Sequence, residues 1–266
     1  MIDRFEREIT SLRISVTGSC NLRCRYCVPP ATAMEDNGRK VLSYEEIVEV
    51  VRAAVGVGVR KVRLTGGEPL MRPDVDALVR MLAEIDGIDD LAISTNGIML
   101  AESATELARA GLHRVNISLD TVDAARYRKI AGGGDLSRVL AGIKAAVEAG
   151  LEPIKLNCVV KRSSDEPDAR GVARFGSENG LEVRFIREMD FRTGKFSVVE
   201  GGTGGDCSQC DRLRLSCDGQ VRPCLFSDLS FSVRELGPSR ALEEAIRAKP
   251  QKGAACSQSW IRVTGG

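Results

Sequence analysis

The chain has 266 residues, with 38 Lys and Arg against 37 Asp and Glu and a formal net charge of +1. That balance gives no electrostatic reason to bind nucleic acid or an anionic membrane. No uninterrupted apolar run approaches membrane-spanning length, and charged Met1 to Thr10 lacks the apolar core of a signal peptide. The expectation is a cytoplasmic protein. The length suits one barrel-type domain, alone or with a small appendage. Nine cysteines in such a compartment argue for metal or redox chemistry rather than disulfides. His113 is the only histidine, so histidine acid–base catalysis is a poor candidate for the main chemistry.

From Leu12 to Met189 the pattern alternates between strand and helix. Apolar, β-branched runs fall at Leu12–Thr17, Val62–Thr65, Leu91–Ser94, Val115–Leu119, Ile154–Val160 and Val183–Ile186. Ser43 is placed to cap a helix carrying Ile47, Val50, Val51, Ala54 and Val55. Pro73 suits the first turn of the next helix. Further helices are expected over Ala101–Ala110, Leu136–Ala149 and Asp168–Asn179, with Gly111, Gly150 and Gly180 as stops. Six β-α repeats imply parallel strands, which an open sheet or a barrel would satisfy equally.

Chemistry in such folds gathers at the carboxyl ends of strands. Cys20, Cys24 and Cys27 follow the first strand in a C-x3-C-x2-C spacing, with Tyr26 just before the third cysteine. Thiolates bind iron and hold iron–sulfur clusters. Three of them on a four-iron cubane leave one iron open for a ligand. A zinc site usually wants four ligands in paired spacing. Gly66-Gly67-Glu68-Pro69 follows the second strand, and Thr95-Asn96-Gly97 the third. Ser118 closes the fourth, Lys155 and Asn157 lie on the fifth, and Met189 follows the sixth.

After Met189 the character changes. Val198 to Asp206 is glycine-rich and reads as a flexible connector rather than a phosphate loop, since no P-loop lysine follows. Then come Cys207, Cys210 and Cys224, with Cys217 between and Cys256 beyond. This group suits a second cluster, or a zinc site with Cys217 or Cys256 as fourth ligand. A last helix is expected over Ser239–Ala248, before the terminal Gly265-Gly266.

These motifs together resemble the radical S-adenosylmethionine (SAM) superfamily. Cys207 to Phe226, with Arg212 and Arg214 inside it, resembles the second cluster motif of the MoaA family, the GTP 3′,8-cyclases of molybdenum cofactor biosynthesis. The segments Leu12–Thr17, Lys61–Leu70 and Arg184–Met189 are similar to that family's first, second and sixth strands. The resemblance implies an α/β fold: a partial (β/α)6 radical SAM barrel over 1–190 and a small auxiliary-cluster region over 191–266. It implies two [4Fe–4S] clusters, on Cys20, Cys24 and Cys27 and on Cys207, Cys210 and Cys224. Tyr26, Gly67, Glu68, Ser118 and Met189 would bind SAM. Arg13, Arg63, Ser94, Lys155, Arg212 and Arg214 would bind GTP, with Arg13, Gly265 and Gly266 also catalytic.

The implied reaction is that of a lyase converting GTP to (8S)-3′,8-cyclo-7,8-dihydroguanosine 5′-triphosphate. Its partners would be an electron-donor protein, the downstream cyclic pyranopterin monophosphate synthase and a second copy of the chain. The stretch Asp190 to Asp206 is shorter than the family's corresponding segment, and Cys217 and Cys256 have no role in the family pattern. Two other readings fit the same motifs: a two-cluster radical SAM enzyme acting on a peptide or sugar, and a non-catalytic iron–sulfur scaffold or sensor.

Overall fold

The computed structural model describes residues 1–27 and 40–257. Six parallel strands lie side by side in sequence order: β1 (Ser11–Ser15), β2 (Lys61–Thr65), β3 (Asp90–Thr95), β4 (Arg114–Ser118), β5 (Lys155–Val160) and β6 (Glu182–Arg187). A seventh, β7 (Arg212–Leu215), pairs in parallel with the free edge of β1. The antiparallel β8 (Gln220–Arg222) and β9 (Phe231–Ser232) extend that side. The helices are α1 (Tyr44–Gly56), α2 (Val75–Ala83), α3 (Leu100–Arg109), α4 (Ala124–Ala131), α5 (Leu136–Glu148), α6 (Pro167–Glu178), α7 (Val233–Leu236) and α8 (Pro238–Arg247).

Strand side chains alternate between two faces. Leu12, Ile14, Val62, Leu64, Leu91, Ile93, Val115, Ile117 and Leu156 form one buried face beneath the helices. The opposite face carries Arg13, Arg63, Ser94, Asn157, Arg184 and Arg212, all around one cavity. A parallel sheet covered on both faces would show near-continuous apolar runs. The polar alternation here marks a face that encloses a cavity instead. Strands from β1 to β7 contribute to that single cavity, so the sheet curls into an open barrel.

Helix boundaries follow local chemistry. Ser43 caps α1 in a reciprocal capping box: its hydroxyl accepts from the Glu46 N–H at 3.2 Å, and Glu46 accepts from the Ser43 N–H at 2.7 Å. Gly111, Gly150 and Gly180 stand just past α3, α5 and α6 with φ of +98°, +73° and +68°. Pro73 is not in the first turn of α2: the helix begins at Val75 after an N-cap Asp74 at φ 56°. Helix α4 lies where no element was expected. It is short and has only two buried residues, Tyr127 and Ala131, too few for a visible apolar period.

The glycine-rich stretch is not a loose connector. Phe185 and Glu200 exchange backbone hydrogen bonds at 3.0 and 3.1 Å, laying the segment against β6. Its Val199, Gly202, Thr203 and Gly204 form part of the cavity wall. Glycine is required at Gly205, where φ is +82° and a Cβ would lie 2.0 Å from the Ser197 carbonyl oxygen.

Helices α3 and α5 meet at Gly142. Alanine in a helix interior is normally favoured over glycine by about 1 kcal/mol. Here its Cβ would sit 2.5 Å from the Gly97 carbonyl oxygen and 3.1 Å from the Leu100 Cβ. Gly142→Ala should therefore destabilise the fold, by about 1–3 kcal/mol, as overpacking does. Urea unfolding checks this, and a stabilised variant would contradict it.

Candidate active site

One cavity of about 450 Å³ opens at the carboxyl ends of the strands. Cys20, Cys24, Cys27 and Tyr26 line it, with Gly67, Ser118 and Met189. Arg13, Arg63, Ser94 and Arg212 stand in the same wall. Three expected residues do not. Glu68 is buried behind the wall, Arg214 is buried beside the second cysteine group, and Lys155 pairs with Glu182 at 2.8 Å. Gly265 and Gly266 lie outside the described residues.

The first cysteine loop is held by backbone contacts from both sides. Gly67 donates to the Thr17 carbonyl at 2.7 Å and Glu68 to the Ser19 carbonyl at 2.8 Å. A Cβ on Gly67 would fall 2.1 Å from the Ser19 carbonyl oxygen, so the close approach requires glycine. From the other side, α4 presents its last carbonyls. Arg23 donates to Ala131 at 2.9 Å and Arg25 to Ile130 at 3.1 Å. These satisfy groups that a helix C-terminus leaves unpaired. The Tyr26 hydroxyl donates to Asp120 at 2.8 Å, and Asp120 also accepts from the Val159 N–H at 2.8 Å.

Burial pushes the Cys24 thiol up to about 12, with Asp120, Cys27 and Cys20 adding to the shift. Three thiolates here would repel one another unless a cationic centre took them up. An iron–sulfur cluster does that. Among the described residues no three Cys, His, Asp or Glu side chains converge on a single metal ion. A cluster offers each thiolate a separate iron, so cysteines spread around a cavity suit it.

The wall beyond the cysteines is cationic. Arg13, Arg63, Ala92 and Arg114 share one register across β1, β2, β3 and β4, with Arg214 of β7 at the same register but outside the cavity lining. Burial lowers the Arg13 guanidinium's affinity for its proton well below normal, and Arg214, Arg63 and Arg212 lower it further. Burial, then Arg114 and Arg184, bring Arg63 to about 10, and burial, then Arg212, does the same to Arg214. Asp90 answers Arg114 at 2.8 Å, and Glu182 lies 3.9 Å from Arg184. Among the described residues, neither Arg13 nor Arg63 has a salt bridge, and the buried Nε atoms of Arg63 and Arg184 have no hydrogen-bond partner. Buried cations are costly unless paired. This wall is built to receive an anion, and guanidinium groups suit phosphate oxygens.

Cys207, Cys210 and Cys224 are half-buried next to β7. Burial raises the Cys210 thiol, but Lys249 and Arg212 outweigh it and hold the thiol below its ordinary value. Cys224 packs with Met189 against a small core of Phe191, Phe226 and Cys256. The Phe191 and Phe226 rings stack at 4.7 Å. Cys217 is buried and its carbonyl accepts from the Leu42 N–H at 2.8 Å. None of the nine cysteines is in a disulfide. A Cys210 thiol kept low by two cations suits a cluster ligand better than a buried neutral thiol would.

Lys61, Arg114, Arg184 and Arg187 also line the cavity and were not singled out from the sequence. Lys61 carried a usable signal, as the polar member of a period-two strand two residues from Arg63. Lys249 carried none, because its partners are carbonyls distant in sequence.

Glu68 accepts from the Thr95 hydroxyl and the Asn96 N–H, each at 2.7 Å, and from the Leu70 N–H at 3.0 Å. Burial outweighs these bonds and raises its carboxyl to about 7. A raised acid pKa favours the folded state while the group is protonated. Its contribution is full below the ordinary value of 4.5 and is lost as pH rises through about 7. Across that window, the unfolding free energy of the native chain should fall relative to Glu68→Gln. Urea titrations at several pH values check this, and parallel profiles would contradict it.

The chain matches the Radical SAM superfamily family model over residues 14–175. It is 40% identical to the GTP 3′,8-cyclase of Moorella thermoacetica, over 91% of this chain and 88% of that one. It is 38% identical to the GTP 3′,8-cyclase of Pelotomaculum thermopropionicum, over 95% and 94%. The first alignment runs over 287 positions, more than the chain's 266, so the relative carries extra residues within the matched span. Among solved structures, anSMEcpe with bound AdoMet superposes with a TM-score of 0.65 at 14% identity, over 97% of this chain and 88% of that one. Streptococcus suis SuiB bound to precursor peptide SuiA gives 0.59 at 23% identity, over 70% and 40%. Both likenesses speak for the fold alone. The family carries a [4Fe–4S] cluster and SAM, and the open barrel, its cysteine loop and its near-full-length relatives agree: the chain belongs to the radical SAM superfamily and, within it, to the GTP 3′,8-cyclase family.

Proposed function

We propose that this chain is a radical SAM lyase that converts GTP to (8S)-3′,8-cyclo-7,8-dihydroguanosine 5′-triphosphate in molybdenum cofactor biosynthesis. One observation carries the reading: a single cavity joins Cys20, Cys24 and Cys27 to Arg13 and Arg63, neither of which has a salt bridge among the described residues. When bound, the first cluster supplies the electron that cleaves SAM reductively.

The residues supply binding, orientation and exclusion of water. Cys20, Cys24 and Cys27 hold the first cluster, and Tyr26, Gly67, Ser118 and Met189 surround SAM. Glu68 fixes the loop after β2 to that after β3 through Thr95 and Asn96. Arg13, Arg63 and Arg212 face the triphosphate, with Ser94 deeper along the wall. Arg214 lies beside Arg212 and the second cysteine group, and Lys155 acts through Glu182. Cys207, Cys210 and Cys224 hold a second [4Fe–4S] cluster. The reading brings with it a catalytic role for Arg13 and for the terminal Gly265-Gly266. It also brings an electron-donor protein, the downstream synthase, a homodimer and a cytoplasmic setting. Among the described residues no helix is long and apolar enough to cross a membrane. A peptide or sugar substrate leaves the arginine wall unexplained, because neither needs several desolvated cations.

The test is anaerobic reconstitution with iron and sulfide, then incubation with SAM, dithionite and GTP, and mass spectrometry of the products. The cyclised triphosphate should form together with 5′-deoxyadenosine. Formation of 5′-deoxyadenosine without any change to GTP would overturn the substrate assignment. A hydrogen bond to a charged group contributes about 1.5–3 kcal/mol. Arg212→Ala should therefore weaken GTP binding at least tenfold in calorimetry while leaving iron content unchanged.

A further inference from the structure

Lys249 follows α8 and is 1% exposed. Its ammonium donates to the Arg212 carbonyl at 2.5 Å and to the Pro223 carbonyl at 2.9 Å, and its charge favours the Cys210 thiolate. Arg212 lies two residues past Cys210, and Pro223 immediately precedes Cys224. One side chain thus ties together the backbones beside two of the three cysteines. An ammonium has three donors and no acceptor. Two carbonyls leave the third proton for Cys210. Among the described residues, no Asp or Glu forms a salt bridge with it. Fully burying a cation against two neutral carbonyls is costly, and an anionic centre offsets that cost.

The position is rigid. Arg7 donates to the carbonyls of Pro250 at 2.7 Å and Gln251 at 3.1 Å, and also to that of Cys207 at 2.7 Å. Asp3, buried beside it, holds the Arg7 guanidinium through Nε at 2.7 Å. The residues flanking Lys249 and the first cysteine of the group therefore share one clamp. A lysine with several rotatable bonds is held to one geometry.

Resting on the reading of Cys207, Cys210 and Cys224 as cluster ligands, we infer that Lys249 is a positioning residue that donates an N–H···S hydrogen bond to the Cys210 thiolate and raises the reduction potential of the second cluster. Cluster potentials respond to net charge and to hydrogen bonds on the ligating sulfurs. Reduction adds an electron, and a fixed positive charge beside Cys210 favours the more negative state.

The experiment uses the full chain carrying Cys20→Ala, Cys24→Ala and Cys27→Ala, so that only the second cluster is read. Iron is counted after anaerobic reconstitution. The midpoint is then titrated between dithionite and ferricyanide and followed by electron paramagnetic resonance. Lys249→Gln keeps a donor for the carbonyls but removes the charge, and Lys249→Arg keeps the charge. Lys249→Gln should make reduction at least tenfold less favourable, about 59 mV for a one-electron couple. Lys249→Arg should restore most of the loss. An unchanged midpoint in Lys249→Gln overturns the inference while leaving the cluster in place. Equal loss of iron in both variants also overturns it, since that is a purely structural role. No iron in the parent refutes the second cluster itself and, with it, the inference.

Discussion

The structure depends on one constraint: arginines that a parallel sheet would ordinarily exclude must be desolvated without being neutralised. Arg13 and Arg63 are cross-strand neighbours at one register of β1 and β2. Beyond what burial does, Arg214 and Arg63 lower Arg13's hold on its proton, and Arg114 and Arg184 lower that of Arg63. Such a wall is unfavourable in an empty protein and favourable around a polyanion. Stability is spent to build a site before its ligand arrives, which is how binding sites are preorganised.

Everything else brings that wall to the cysteines. The Gly67 backbone presses on the Ser19 carbonyl, and α4 receives the N–H groups of Arg23 and Arg25 from the other side. The loop carrying Cys20, Cys24 and Cys27 is thereby fixed at the same cavity mouth. On the opposite edge, β7 adds Arg212 and Arg214 to β1 and places Cys210 one turn of chain away. The C-terminal segment is therefore an extension of the same sheet and not a separate layer. The glycine-rich segment from β6 covers the remaining side. Its Thr203 carbonyl lies 3.5 Å from the Arg212 Nη2, which links the two edges of the open barrel.

The six barrel strands were legible because their apolar members repeat with period two and fall next to chemistry-bearing turns. Ser43 as a cap was legible because a capping box is local, spanning only to Glu46. Helix α4 was not, since it buries two side chains and is held by its carbonyls rather than by an apolar stripe. The glycine-rich segment misled for a related reason. Glycine reads as freedom in a sequence, whereas at Gly205 it meets a carbonyl oxygen that forbids any side chain. Spacing and resemblance singled out Cys20, Cys24, Cys27, Arg13, Arg63 and Arg212, and the structure brings these six to one cavity. Lys249 was not legible, because a lysine satisfied by two distant carbonyls looks like any other lysine. Lys155 is placed differently: it faces an acid from the next strand, Glu182, and lies outside the cavity lining.

The central claim is that the arginine wall recognises phosphates and not merely a purine. Anaerobic calorimetry of the reconstituted protein with GTP and with guanosine, at the same ionic strength, tests it most directly. The account predicts that GTP binds at least tenfold more tightly, with the advantage shrinking as salt is raised. Equal affinity for the two ligands would contradict it.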